Sequence, residues 1–279
     1  LAAFLTRRVS ACIVLLFAAD DKRGEFPMTD YTLKDRVAII TGGGSGIGEC
    51  IALEYARAGA NVVVASRNQG NLDRVAAIVK ELGRESLAVA TDVCEEEQVE
   101  HMIEQTMSRF GRIDILVNNA GAAMTFGKIE NLSLDEWNAT VTLNLTAPFM
   151  CSVAAGRVMI EQKRGKIINI ASAAGLKGYS FMAHYSAAKS GLMRLTEALA
   201  SGWAKHDINV NCIVPGLITT DVEIERGSIP SATKEDGSPV PPLLFPPAPE
   251  NVADLALFLA SPASDHITGE LMNIRAASR

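Results

Sequence analysis

Tyr185 and Lys189 stand four residues apart in the run Tyr185-Ser-Ala-Ala-Lys189. On a helix that spacing puts both side chains on one face, a turn apart. A free phenol ionises near pH 10, too high for a base at neutral pH. A fixed ammonium beside it favours the phenolate, and each unit of lowering corresponds to about 1.4 kcal/mol. Such a phenol gives a proton to a developing alkoxide or takes one from an alcohol. Upstream, Ser172 follows the apolar run Lys166-Ile-Ile-Asn-Ile-Ala171, and its hydroxyl is suited to hold a reacting carbonyl oxygen. Tyr and Lys alone would read as an ordinary pair on a helix surface. A second signal gives them weight.

That signal is Thr41-Gly42-Gly43-Gly44-Ser45-Gly46-Ile47-Gly48, lying between a short apolar run and a helix-like stretch. Glycines let the backbone approach a pyrophosphate, and the helix N-terminus offers unpaired N–H groups. The expected contacts are Gly42, Ser45, Gly46, Ile47 and Gly48. No Gly-Lys-Ser/Thr follows, which argues against nucleotide triphosphate hydrolysis. Binding NAD usually calls for an acid at the end of the second strand, about 20 residues on. Here that position reads Ala65-Ser66-Arg67-Asn68, with no acid until Asp73. A hydroxyl and a guanidinium suit a 2′-phosphate, so the cofactor expected is NADP(H), with Arg67 as discriminator and Ser66 as helper.

These groups need a scaffold. Val37–Thr41, Asn61–Ser66, Ser86–Thr91, Ile113–Asn118, Lys166–Ala171, Asp207–Ile213 and Glu270–Ile274 read as strands, separated by helical stretches such as Gly48–Ala58, Asn71–Leu82 and Glu95–Phe110. Apolar strands alternating with helices predict a single doubly wound α/β domain of the Rossmann type. Its sheet has seven strands, mostly parallel, with helices on both faces. The proline-rich stretch at about 220–249 reads as a lid rather than a connector. Arg7-Arg8 and the apolar run Val9–Ala19 look like a secretory signal, but Phe17 sits where a small residue is wanted for cleavage, and Met28 opens the segment leading into the first strand. Residues 1–27 are therefore expected to be an extension outside the fold, and 28–279 the functional domain.

Composition narrows the partners. In 279 residues, 48% are hydrophobic and the formal net charge is −6, so a large core is affordable and no positive field draws the chain to nucleic acid. The five cysteines (Cys12, Cys50, Cys94, Cys151, Cys212) are scattered and never form CxxC. They read as free thiols in a reducing, cytoplasmic setting. His101, His206 and His266 are scattered, with no carboxylate or Cys at ligand spacing, so no metal site is expected. His184 points away from Tyr185 on a helix, which suits packing or a substrate rim. Stable membrane insertion is not expected, since the N-terminal apolar run is too short to span a bilayer.

Taken together, Thr41-Gly42…Gly46-Ile47-Gly48, Asp92-Val93, Asn118-Asn119-Ala120-Gly121, Asn144, Ser172, Tyr185…Lys189 and Pro215-Gly216-Leu217-Ile218-Thr219 resemble the short-chain dehydrogenase/reductase family, in order from about Leu33 to Ile274. The resemblance implies Tyr185 as acid/base, Lys189 lowering its pKa and binding the nicotinamide ribose, Ser172 orienting the substrate oxygen, and Asn144 holding a water in a proton relay. It also implies Asp92 and Val93 at the adenine, Asn119, Ala120 and Gly121 along the cofactor cleft, and Pro215, Gly216, Ile218 and Thr219 at the carboxamide. Asn118 reads equally well as a structural fastener. Two departures stand out. Ile274 is followed by Arg-Ala-Ala-Ser-Arg279 where the family commonly has Asp-Gly-Gly, and Leu243-Leu-Phe-Pro-Pro-Ala-Pro replaces a short polar turn.

The expected activity is hydride transfer between NADP(H) and a carbonyl/secondary-alcohol pair, on a partly apolar ketone or a 3-oxoacyl-type substrate, in a pocket bordered by Leu217, Val222 and Leu243–Phe245. An NAD-dependent alcohol dehydrogenase of the same family and a non-catalytic dinucleotide-binding protein are the alternatives. The likeness further implies a homo-oligomer, dimer or tetramer, built on the helices at about 134–162 and 185–205.

Overall fold

The computed structural model describes residues 31–277 except residue 235. The expected extension at 1–27 lies outside the described residues. Seven strands form one sheet: β1 (Val37–Thr41), β2 (Asn61–Ser66), β3 (Ser86–Ala90), β4 (Ile115–Asn118), β5 (Gly165–Ile170), β6 (Ile208–Pro215) and β7 (Leu271–Ile274). Their order is β3-β2-β1-β4-β5-β6-β7, and every neighbouring pair is parallel. The sheet is thus wholly parallel, as right-handed crossovers through helices require.

Side chains alternate across the strands, so each strand feeds two cores. Ala38 and Ile40 join Ile51 and Tyr55 of α1 (Gly46–Arg57) and Val252 and Ala256 of α8 (Pro249–Ala260). Val37 and Ile39 face the other way, toward Met102 of α3 (Glu96–Phe110) and Cys151 and Met159 of α5 (Ala147–Gln162). Burial on both faces is why these strands read as unbroken apolar runs. Each fully buried Ile or Leu contributes about 1.5–3 kcal/mol.

Local chemistry sets the helix ends. Asn68 caps α2 (Gln69–Glu81) by accepting from the Asn71 N–H, and α3 ends at Gly111 in the left-handed region, φ 70°. Ser133 and Glu136 form a reciprocal capping box on α4 (Leu134–Val141). From α4 the chain runs into α5 through a π-helical turn, Thr142–Thr146, which holds Asn144. An apolar pattern over 134–162 does not reveal that wider turn. The 134–162 helix is the one helix among the described residues long and apolar enough to cross a bilayer, and half of its apolar window is buried inside the domain. Next come α6 (Ala183–Trp203) and the short α7 (Asp221–Glu225), capped by Thr220.

Strand order reverses between β1 and β4, and ligands of such sheets bind outside the strand C-termini at that crevice. Gly42, Asn119 and Ser172 all lie just past the ends of β1, β4 and β5. The 220–249 stretch carries structure of its own: α7, a bridge between Thr233 and Pro239, and a 3₁₀ turn at Pro242–Leu244. The Ala277 N–H donates to the Leu243 carbonyl at 2.7 Å, so the atypical C-terminal tail is tied to this stretch.

Candidate active site

The glycine loop is built for close approach. Gly42 and Gly46 adopt φ of 66° and 54°, where a side chain is strained, and a Cβ on Gly48 would land on the Gly42 carbonyl oxygen. Thr41 Oγ1 donates to the Val117 carbonyl at 3.2 Å and accepts from the N–H groups of Asn119 and Ala120, each at 3.1 Å. Asn119 Nδ2 donates to the carbonyls of Thr41 (2.9 Å) and Gly42 (3.3 Å). The Asn119 amide thereby fastens the glycine loop to the end of β4. Arg74 reinforces the loop from outside, donating to the Gly44 carbonyl at 3.2 Å and to both Glu49 carboxylate oxygens.

Beside this loop runs a groove of about 530 Å³ lined by Gly42, Gly44, Ser45, Ser66, Arg67 and Asn71. Ser45 precedes α1 without a side-chain cap, so the first amides of that helix stay available to an anion. Arg67 is largely exposed, with its guanidinium 3.9 Å from the Asp92 carboxylate. Asp92 Oδ1 also accepts from the Cys94 N–H at 3.0 Å, while Val93 beside it is buried. Bare backbone, an uncapped helix and a cationic edge fit a dinucleotide phosphate arm. On the other side of the crevice, Gly216 N–H donates to the Ile274 carbonyl (2.9 Å), Thr219 N–H donates to the Pro247 carbonyl (3.0 Å), and Ile218, between Pro215 and Thr219 in the chain, is buried. The Thr220 methyl is the nearest atom to the site a Cβ on Gly46 would take, at 3.9 Å, so α7 begins against the glycine loop.

The reacting groups come from β5, α6 and the π turn. Ser172 follows β5 by two residues, accepts from the Ala174 N–H at 3.2 Å, and sits close enough to Tyr185 to pull its pKa down. Lys189 Nζ donates to the Ile170 carbonyl at 2.8 Å and lies 5.7 Å from the Tyr185 ring centroid. Burial pushes the Lys189 ammonium down to about 8. Burial raises the Tyr185 phenol above its ordinary value; the Ser172 hydrogen bond opposes this and the Glu223 carboxylate adds to it. Desolvation is the largest influence on both groups, and the Lys189 amine, while donating to the Ile170 carbonyl, also lies over the Tyr185 ring.

Asn144 is fully buried. Its Nδ2 donates to the carbonyls of Ala122 (2.9 Å) and Thr140 (3.0 Å), and its Oδ1 has no partner. A Cβ on Gly121 would sit 2.7 Å from that oxygen and 3.0 Å from Lys189 Nζ. A buried orphan acceptor beside an amine is where a shared polar ligand or water fits. π turns of this kind recur at functional sites because they re-aim one side chain.

Asn118 is a fastener, donating to Ser152 Oγ (2.9 Å) and Asn169 Oδ1 (2.8 Å). Cys50, Cys94, Cys151 and Cys212 are free, and burial pushes their thiols up to about 11, 11, 12 and 11, which disfavours the thiolate. No group of potential metal ligands occurs among the described residues. Leu217, Val222 and Leu243 are all exposed, Leu243 most of all. Three contributors were not legible beforehand. Arg74 gave no signal in sequence, nor did the Ile170 carbonyl. Glu223 belongs to the Thr-Thr-Asp-Val-Glu run, whose Thr220 cap and helical spacing mark a short helix.

Comparison with known proteins agrees with this geometry. The short chain dehydrogenase family profile matches residues 36–229. The chain is 37% identical over 249 residues to a 3-oxoacyl-[acyl-carrier-protein] reductase of Synechocystis sp., covering 87% of this chain and 96% of that protein. It is 38% identical over 245 residues to the (2S)-[(R)-hydroxy(phenyl)methyl]succinyl-CoA dehydrogenase subunit BbsD of Thauera aromatica, covering 87% and 96%. Among solved structures, an NAD+-bound xylitol dehydrogenase superposes with a TM-score of 0.80 at 30% identity, covering 88% of this chain and 99% of that one. A short-chain dehydrogenase/reductase from Mycobacterium marinum does so at 0.79 and 33%, covering 88% and 96%. With its fold, its glycine loop and its Ser-Tyr-Lys cluster accounted for, this chain belongs to the short-chain dehydrogenase/reductase family of oxidoreductases.

Proposed function

We propose that the protein interconverts a carbonyl and a secondary alcohol with NADP(H), on a partly apolar ketone or 3-oxoacyl-type substrate. The observation that carries this reading is the meeting of Ser172, Tyr185, Lys189 and Asn144 at one strand-end crevice, next to a groove shaped for a dinucleotide. A bound nicotinamide supplies or accepts the hydride. Ser172 holds the substrate oxygen, and Tyr185 gives or takes the proton at that oxygen. Lys189 passes the proton onward to a water that Asn144 Oδ1 would hold, and the burial that keeps Lys189 near 8 lets it exchange protons close to neutrality. Stabilisation of the developing alkoxide by pre-aimed donors is the main source of rate.

Arg67 and Ser66, with no carboxylate at the end of β2, support NADP(H), and Gly46, Ile47, Gly48 and Asp92 support the same cofactor pose. The NAD-dependent alternative is favoured by one observation, the NAD+-bound xylitol dehydrogenase neighbour. The relatives named for an acyl-thioester reductase and an aryl succinyl-CoA dehydrogenase support an acyl or aryl substrate. We also place the lid over about 220–249, a homo-oligomer on the helices at about 134–162 and 185–205, and a reducing cytoplasmic setting within this reading. The test is a panel of carbonyls and alcohols followed at the nicotinamide absorbance with each cofactor. Turnover with a lower KM for NADPH than NADH is expected, and cofactor binding without turnover of any panel member would overturn the enzymatic reading.

A further inference from the structure

A second cavity, of about 270 Å³, opens between the loop after β4 and the first turn of α6. Its apolar wall is an aromatic pair: the Phe126 and Phe181 rings stack with centroids 6.3 Å apart and planes at 28°. The Gly127 N–H donates to the Phe181 carbonyl at 3.0 Å, which locks the two loops together. Ile129 extends this wall.

The polar side of the cavity is unfinished. His184 is only 2% exposed, and its Nε2 lies 3.0 Å from Thr125 Oγ1, yet its Nδ1 is buried with no partner. Buried imidazole nitrogens are almost always hydrogen-bonded, so an orphan nitrogen on a residue that lines a cavity marks a place for a ligand atom. Two further features give the sign of that atom. Lys128 lies on the rim, and α6, 21 residues long, starts here with no side chain capping its N-terminus. One carboxylate, Glu136, also lines the cavity and feels the imidazole, but it is already engaged with Ser133 N (2.9 Å) and Oγ (2.7 Å).

We propose that this cavity binds a small amphipathic carboxylate, its aryl or short acyl body against Phe126 and Phe181 and its carboxylate accepting from His184 Nδ1–H. In that tautomer the Thr125 hydroxyl donates to Nε2. Lys128 and the N-terminus of α6 offset the ligand's charge. The site is separate from the reacting phenol: Ser172, Tyr185 and Lys189 do not line it, and adjacent helix residues point about 100° apart. The inference therefore does not depend on the redox reading.

The experiment is calorimetric titration of the full chain with 3-phenylpropionate and with 3-phenylpropan-1-ol, with the histidine side-chain nitrogens followed by NMR. One equivalent of carboxylate is expected to bind, about tenfold or more tighter than the alcohol, since a charge-assisted hydrogen bond is lost in the latter. Binding should shift the His184 Nδ1 resonance, weaken about tenfold in His184→Leu and measurably in Lys128→Met, and persist in Tyr185→Phe. Equal affinity for acid and alcohol, indifference to both His184→Leu and Lys128→Met, or loss in Tyr185→Phe would each overturn the proposal. Cofactor affinity reports folding; if His184→Leu loses it, the exposed Lys128→Met decides.

Discussion

Asn144 Oδ1 and Lys189 Nζ converge on the α-carbon of Gly121: a Cβ built there would lie 2.7 Å from the oxygen and 3.0 Å from the nitrogen. One group comes from the π turn before α5 and the other from α6, so three segments distant in sequence share one small volume. Any side chain at 121 must displace an acceptor without a partner or a buried amine.

Gly121→Ala should therefore lower kcat strongly while costing about 1–3 kcal/mol of stability, the usual range for overpacking. Steady-state kinetics and thermal unfolding on the same preparation check this. An unchanged kcat would mean the two groups do not act together.

Tyr185→Phe keeps the ring and removes the hydroxyl. Turnover should fall by about 10²–10⁴-fold, the range of general acid–base catalysis, with the cofactor dissociation constant nearly unchanged. Stopped assays for product, paired with fluorescence titration of the cofactor, separate the two effects.

Ser172→Ala and Glu223→Gln should move the pH profile of alcohol oxidation in opposite directions. The Ser172 hydrogen bond lowers the Tyr185 pKa and the Glu223 carboxylate raises it. Oxidation needs the deprotonated phenol, so its rate climbs as pH passes that pKa. Loss of Ser172 shifts the climb to higher pH and loss of the Glu223 charge shifts it to lower pH. Profiles of kcat for both variants are the measurement.

Lys189→Met should remove a pH dependence of stability. In the native protein burial holds the ammonium near 8, below its ordinary value of 10.5. Between these two pH values the unfolded chain binds the extra proton, so stability rises with pH, by up to about 3 kcal/mol, and the burial cost is present in full below 8. Denaturant midpoints of the two proteins at pH 7.5 and 10 should diverge accordingly, the variant lacking that rise.

Arg67→Ala should raise the KM for NADPH by about 10- to 100-fold, the worth of a charge-assisted hydrogen bond, and leave NADH nearly untouched. The comparison of both cofactors on one substrate reports it.

Much of this protein was readable residue by residue. The strands announce themselves because two-sided burial leaves them nearly all apolar, and β1 and β2 match their sequence-based bounds at both ends. The glycine loop, Ser172, Tyr185 and Lys189 are legible because their chemistry depends on residue type and local spacing, which a linear chain carries in full. The setting of Lys189 is another matter. That its amine reaches the Ile170 carbonyl while lying over the Tyr185 ring depends on where β5 ends beneath α6, and the balance between burial and neighbouring charge depends on every element packed around it. The π turn that aims Asn144, the Asn119 ties on the glycine loop, the carboxylate of Glu223 and the orphan nitrogen of His184 belong to the same class. Each is a relation between segments brought together only by packing, and desolvation has no counterpart in one dimension.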